Sequence, residues 1–288
     1  MTRRGLGAAL TGGLSALATA CSPLAAFNSL APRDRAIRVG RDLAFGDDPR
    51  QKLDIYAPAH GAQGAPVLIF FYGGAWNSGR RQDYAFAGQA LASRGFVTVV
   101  PDYRLAPQWR YPAFMQDAAS ATRWVRDHVA DYGGDPGRIS LAGHSAGGYI
   151  AVMLALDAEF LHAVAVDPAT IRAVAGLSGP YDFLPLDVDS TKVAFGGYPD
   201  LAATQPIGHV HPGAPPMFLA WGAADTLVGP RNIAHLSAAL RAAGDEVETR
   251  IYPGVSHADT VLALSPLFRR KAPVLADMSD FLLAHAGH

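Results

Sequence analysis

Strand-sized apolar runs recur down this chain with helical patterns between them, and that alternation constrains the fold more than any other feature. Val67-Leu68-Ile69-Phe70-Phe71, Val97-Thr98-Val99-Val100, Ile139 to Ala142, Ala173 to Leu177, Met217 to Trp221 and Val247 to Tyr252 read as strands of a sheet covered on both faces. Helical spacing fills the gaps at Tyr84 to Ser93, Ala113 to Val129, Ala146 to Leu156, Pro230 to Ala243 and Pro273 to His285, with Gly244 just past one helix end. Strand and helix in repeated alternation predict an α/β fold: a mostly parallel central sheet, right-handed crossovers, and ligand-binding loops at the carboxyl ends of the strands. Upstream, Ile37 to Phe45 and Gln51 to Tyr56 flank the turn Gly46-Asp47-Asp48-Pro49 and predict a hairpin at one sheet edge. Ser178 to Pro216 is the longest stretch without periodicity. A loop of that length inside a compact domain is functional or locally structured, so it predicts a small cap over the site. With 50% of its 288 residues hydrophobic, the chain can bury the core of one domain, placed at residues 37–288 with the cap insertion at about 178–216.

Reactive side chains in such a fold should follow strands. Ile139 to Ala142 runs into Gly143-His144-Ser145-Ala146-Gly147-Gly148 and then into a helical pattern. This fits G-x-S-x-G, in which a serine sits on a sharp strand-to-helix turn and small neighbours let the helix pass close to the strand; Ser145 is the candidate nucleophile. Five residues are a weak pattern alone, and the weight comes from the setting. A serine hydroxyl needs an adjacent base to take its proton, and the base needs a group to orient it. His257 follows the Val247 to Tyr252 run through Pro253-Gly254-Val255-Ser256 and precedes the final helical region, which makes it the candidate base. His144 lies within the elbow and is expected to point away from Ser145. Asp225 follows Met217 to Trp221 through Gly222-Ala223-Ala224 and gives the order Ser145, Asp225, His257; Asp182, one strand earlier, is the competitor and reads rather as a cap-anchoring residue. Donors for an oxyanion are expected after the first buried strand, in Tyr72-Gly73-Gly74-Ala75-Trp76, from Gly73 and Gly74 together with Ala146.

Together these segments resemble the α/β-hydrolase fold carboxylesterases, of hormone-sensitive-lipase-like and bacterial feruloyl/acetyl-esterase-like type, over about residues 45–285. Asp102-Tyr103-Arg104-Leu105-Ala106-Pro107, Gly133-Gly134-Asp135-Pro136 and the Ser145 elbow carry the resemblance at the spacing of that family. It implies helices on both faces of the sheet, and a Ser-His-Asp triad that cleaves short-chain or aryl carboxylic esters through an acyl-enzyme. It also implies no metal and no organic cofactor. One position departs from the pattern: Tyr72 stands where the family usually carries histidine at the head of its oxyanion segment. Trp76 also resembles the arylformamidases, which keeps hydrolysis of an N-formylkynurenine-type amide as the alternative. A catalytically silent anchored binding protein is the alternative of another class. On the residues alone, Asp102 and Arg104 read as a charge pair after a strand and Tyr103 as a packing residue.

Residues 1–20 differ from the rest of the chain. Arg3 and Arg4 precede an uncharged Gly/Ala/Leu run that ends in Leu17-Ala18-Thr19-Ala20-Cys21, the pattern of an export signal. The end resembles a bacterial lipobox, which implies lipidation of Cys21; Ala18 departs from the usual leucine, and cleavage without lipidation is the alternative. Residues 21–36 read as a tether. The expected protein is exported, touching a membrane only through an anchor at Cys21. Cys21 is also the single cysteine, which excludes an internal disulfide and any multi-cysteine metal site. Twenty-four basic against 25 acidic residues leave a net charge of −1, so no global field favours nucleic acid, and a small-molecule ester is the expected partner.

Overall fold

The computed structural model describes residues 27–28 and 32–287. The expected signal segment, Cys21 and most of the expected tether lie outside the described residues. Eight strands form one sheet: β1 (Ala36–Ala44), β2 (Lys52–Pro58), β3 (Ala65–Phe71), β4 (Val97–Pro101), β5 (Gly134–His144), β6 (Ile171–Leu177), β7 (Met217–Gly222) and β8 (Val247–Tyr252). Their spatial order is β1-β2-β4-β3-β5-β6-β7-β8. The β1/β2 hairpin joins β4 antiparallel, and every pairing from β4 through β3 to β8 is parallel. The expected edge hairpin and parallel sheet are both present.

Parallel strands need crossovers, and the helices supply them: α1 (Ala85–Ala92), α2 (Ala113–His128), α3 (Ala146–Leu156), α4 (Ala158–His162), α5 (Asp189–Phe195), α6 (Arg231–Ala243), α7 (His257–Leu262) and α8 (Val274–His285). All residues of α3 are buried, as an Ala-Gly-Gly-Tyr-Ile-Ala-Val-Met-Leu-Ala-Leu sequence with no polar face requires. Val67 to Phe70 in the middle of the sheet are fully buried. Each such side chain contributes about 1.5–3 kcal/mol on burial, enough in sum to hold the strained turns described below.

The chain leaves β3 for β4 on one side and then returns to add β5 on the other, so the carboxyl ends of β3 and β5 flank the topological switch point. Their register pairs Phe71 with Gly143, which brings the Tyr72–Trp76 loop level with the Ser145 elbow. The next pairings, His144 with Leu177 and Gly222 with Tyr252, bring the loops after β6, β7 and β8 to the same end.

Two expectations are corrected here. Val247 to Tyr252 is not covered on both faces: β8 has β7 as its one neighbour, Ile251 is 59% exposed, and Arg250 faces solvent, as suits an edge strand. Asp102 and Arg104 are not paired with each other. Asp102 binds the buried Arg81 guanidinium, while Arg104 binds Asp117 on α2 at 2.8 Å. Asp117 has no exposed surface, and a buried carboxylate needs a charge partner in its own compartment.

Candidate active site

The elbow shows why its glycines are needed. Ser145, between β5 and α3, has φ 55° and ψ −121°, a conformation non-glycine residues rarely adopt. A Cβ on Gly143 would sit 2.1 Å from the Gly147 carbonyl oxygen, and one on Gly147 would sit 2.0 Å from that of Phe71. The turn is held by the Ser145 N–H, which donates to the Leu177 carbonyl on β6 at 2.8 Å. The Ala146 N–H opens α3, where no preceding helical carbonyl faces it.

Across the switch point, Gly74 has φ 135°, and Ala75 and Trp76 follow at 50° and 57°. The Gly74 carbonyl accepts from the N–H groups of Asn77 and Ser78, both at 3.0 Å, which curls the loop around the Ser145 side. The Gly73 N–H faces the Tyr84 hydroxyl instead, and the Gly73 backbone lies against His144 and Ser145. Of the expected donors, the cavity wall includes Ala146 but neither Gly73 nor Gly74. Ala75 lines the cavity with Ser145, Ala146 and His257, and Gly73 does not. Sequence reasoning passed over Ala75 because the two glycines before it carry the pattern, and Gly73 is where the loop backbone approaches His144 and Ser145.

Tyr72 is buried in a network that sequence reasoning also missed. Its hydroxyl donates to Asp102 Oδ1 at 2.9 Å and accepts from the Arg50 guanidinium at 2.7 Å. Its ring stacks between Tyr84 and Tyr103, at 5.4 and 4.7 Å. Burial and the Asp102 charge push the phenol well above its ordinary pKa, so it stays protonated and a donor. Arg81 completes the cluster through Asp102, Asp54 and Asp42, tying the loop after β3 to the β1/β2 hairpin.

Asp225 and His257 meet at 2.8 Å, Oδ2 accepting from Nδ1–H. The other carboxylate oxygen of Asp225 accepts from the N–H groups of Leu227 and Val228, at 2.9 and 3.0 Å. Burial alone would raise its pKa, but these bonds and that from His257 outweigh burial and hold the carboxyl below its usual range. His257 is the first residue of α7, whose start is set by a capping box: Ser256 Oγ accepts from the Asp259 N–H, and the Asp259 carboxylate accepts from the Ser256 N–H. Asp182 lines the same cavity but meets His235 and not His257, its Oδ2 2.6 Å from His235 Nδ1.

Ser145, His257 and Ala146 open into a cavity of about 490 Å³ whose walls include Trp76, Phe183, Leu184, Val188 and Leu227. The Ser178–Pro216 segment supplies one wall and contains α5 and two single-turn 3₁₀ helices. The wall is pinned by α6. Asn232 Oδ1 accepts from the N–H groups of Tyr181 and Asp182, while Arg231 donates to the carbonyls of Asp182 and Leu184. Among the described residues, no three His, Cys, Asp or Glu side chains are grouped to hold a metal ion.

Residues 53–240 match the sequence model of the BD-FAE family, which is more than half of the chain. The chain belongs to the BD-FAE family. That stretch holds the Tyr72 loop, the Ser145 elbow, the cap and Asp225, and the BD-FAE match ends before His257. The chain is 33% identical over 278 residues to esterase LipQ of Mycobacterium tuberculosis, a match covering 87% of this chain and 63% of that protein. It is 30% identical over 248 residues to a probable isoprenylcysteine alpha-carbonyl methylesterase, ICMEL1, of Arabidopsis thaliana, covering 78% of this chain and 52% of that one. It thus spans about half to two thirds of the length of these relatives. Among solved structures, Thermogutta terrifontis esterase 2 phosphonylated by sarin superimposes with a TM-score of 0.72 at 26% identity, covering 85% of this chain and 95% of that one. Esterase B from Lactobacillus rhamnosis shares the fold, with a TM-score of 0.79 at 22% identity over 91% of this BD-FAE chain and 90% of that protein.

Proposed function

We propose that this protein is a serine hydrolase of carboxylic esters. The observation that carries the reading is the Asp225–His257 contact of 2.8 Å at the same cavity as a serine held on a strained elbow. Because Asp225 accepts a hydrogen bond from Nδ1–H of His257, the Nε2 lone pair is the free base. Ser145 Oγ attacks the ester carbonyl carbon as Nε2 takes the hydroxyl proton. The oxyanion is received by the N–H groups of Ala146 and of the Gly74–Ala75 turn, each donor contributing about 3–4 kcal/mol to the transition state. Collapse breaks the ester C–O bond, and the leaving alkoxide takes the proton from His257. Water, deprotonated by the same Nε2, then cleaves the acyl-serine and returns the enzyme. The relatives named as esterases support ester hydrolysis for this chain.

Turnover of p-nitrophenyl acetate and of N-formylkynurenine by the wild type and Ser145→Ala tests this. Ester hydrolysis that disappears with the Ser145 hydroxyl is expected; full activity in Ser145→Ala overturns the assignment, and a higher kcat/KM on the formamide moves the substrate to an amide.

A further inference from the structure

His144 immediately precedes Ser145, yet acyl transfer makes no use of its side chain. The imidazole is buried, with 5% of the residue exposed. Its Nε2 lies 3.0 Å from the main-chain carbonyl oxygen of His257. A carbonyl oxygen can only accept, so Nε2 carries the proton and Nδ1 is bare. The same carbonyl takes a second bond, from Thr260 Oγ1 at 2.7 Å. His257 is therefore gripped at two ends: its ring by Asp225, and its main chain by the elbow that bears Ser145. The two histidine rings are 4.9 Å apart. On its far side His144 Nδ1 abuts the oxyanion loop, where a Cβ on Gly73 would lie 2.9 Å from it. Among the described residues, Nδ1 itself has no hydrogen-bond partner. A packing residue of similar size would fill this space without burying a bare polar atom, so the donation from Nε2 is the gain that histidine brings here.

We propose that His144 is a positioning residue that sets the His257 imidazole relative to Ser145 by donating from Nε2–H to the His257 carbonyl, so that elbow, base and oxyanion loop hold one geometry. This rests on the reading of Ser145 as nucleophile and His257 as base. Neutrality is part of the device. Burial and the adjacent His257 push the His144 pKa down to about 3, so it carries no charge while His257 becomes imidazolium between it and Asp225. A second cation beside His257 would oppose the proton transfer.

His144→Gln keeps an N–H donor at about the reach of Nε2, and His144→Asn is polar but too short to reach the carbonyl. On p-nitrophenyl acetate, with folding checked by thermal melting, we expect Asn to lower kcat about 10- to 100-fold with KM within about 2-fold, and Gln to recover most of the loss. In the folded wild type, ¹⁵N shifts should report an Nε2–H imidazole that does not titrate between roughly pH 5 and 9. Wild-type kcat in His144→Asn, or a His144 that titrates in that range, overturns the proposal. If the wild type has no esterase activity, or Ser145→Ala retains it, the failure belongs to the hydrolase reading instead.

Discussion

At the scale of single residues, the elbow leaves no room for additional atoms and the proposed triad no room for a neutral acid. Gly147→Ala would set a methyl 2.0 Å from the Phe71 carbonyl oxygen, a rigid backbone atom, so β3 and α3 must separate. We expect a loss of about 1–3 kcal/mol or more in urea unfolding and a fall in kcat, because the same shift moves the Tyr72–Trp76 loop. Asp225→Asn should lower kcat on the order of 10⁴-fold at neutral pH, since the amide favours the wrong tautomer of His257. It should also change the pH dependence of stability. A carboxyl whose pKa is depressed in the folded state contributes stability that is complete above its unfolded value and is lost as pH falls through the depressed one. Urea midpoints followed from neutral pH to below about pH 4 should therefore fall less steeply in Asp225→Asn than in the wild type.

At the scale of elements, two short pieces determine whether the reactive side chains meet. Helix α7 is only His257–Leu262, too short to stand on propensity, and its register depends on the Ser256–Asp259 box, which Lys271 reinforces by donating to Asp259 at 2.5 Å. Ser256→Ala should lower stability by about 1 kcal/mol and lower kcat more than KM, measured by chemical unfolding and steady-state kinetics on one preparation. The cap wall depends on α6 in the same way. Asn232→Ala leaves the N–H groups of Tyr181 and Asp182 without their acceptor, a loss of about 1–3 kcal/mol, and should raise KM while kcat changes less, because the wall touches substrate and not the reacting atoms. Sequence patterns marked the strands and the long helices well, since α3, the start of α2 and the end of β3 follow from apolar spacing alone. They could not mark the pinning of Tyr181 and Asp182 by Asn232, because those residues lie about fifty positions apart in the chain and no local periodicity links them.

At the scale of the whole molecule, a buried ion network joins the antiparallel edge to the parallel sheet. Arg81, 4% exposed, holds Asp54 and Asp102, and Asp102 in turn orients Tyr72 at the head of the oxyanion loop. Arg81→Met would leave two buried carboxylates with only their longer contacts, Asp54 to Arg38 at 3.5 Å and Asp102 to Arg50 at 3.8 Å. The expected cost is about 3–5 kcal/mol, read as a lower melting temperature, with kcat falling as the Tyr72 loop loosens. The chain's own order of residues determined the α/β alternation, the turn at Ser145, and which residues stand as candidate nucleophile, acid and base, because strand runs, a strained glycine-flanked turn and the order of residues after strands are all local or sequential signals. It did not determine which carbonyl His144 meets, that Asp102 binds Arg81 and Arg104 binds Asp117, that Ala75 faces the cavity in place of Gly73, or that the last strand is an edge. Those depend on which elements become neighbours. Burial then matches each charge and hydrogen-bonding group to whatever lies in its own compartment, and only the folded sheet brings those compartments together.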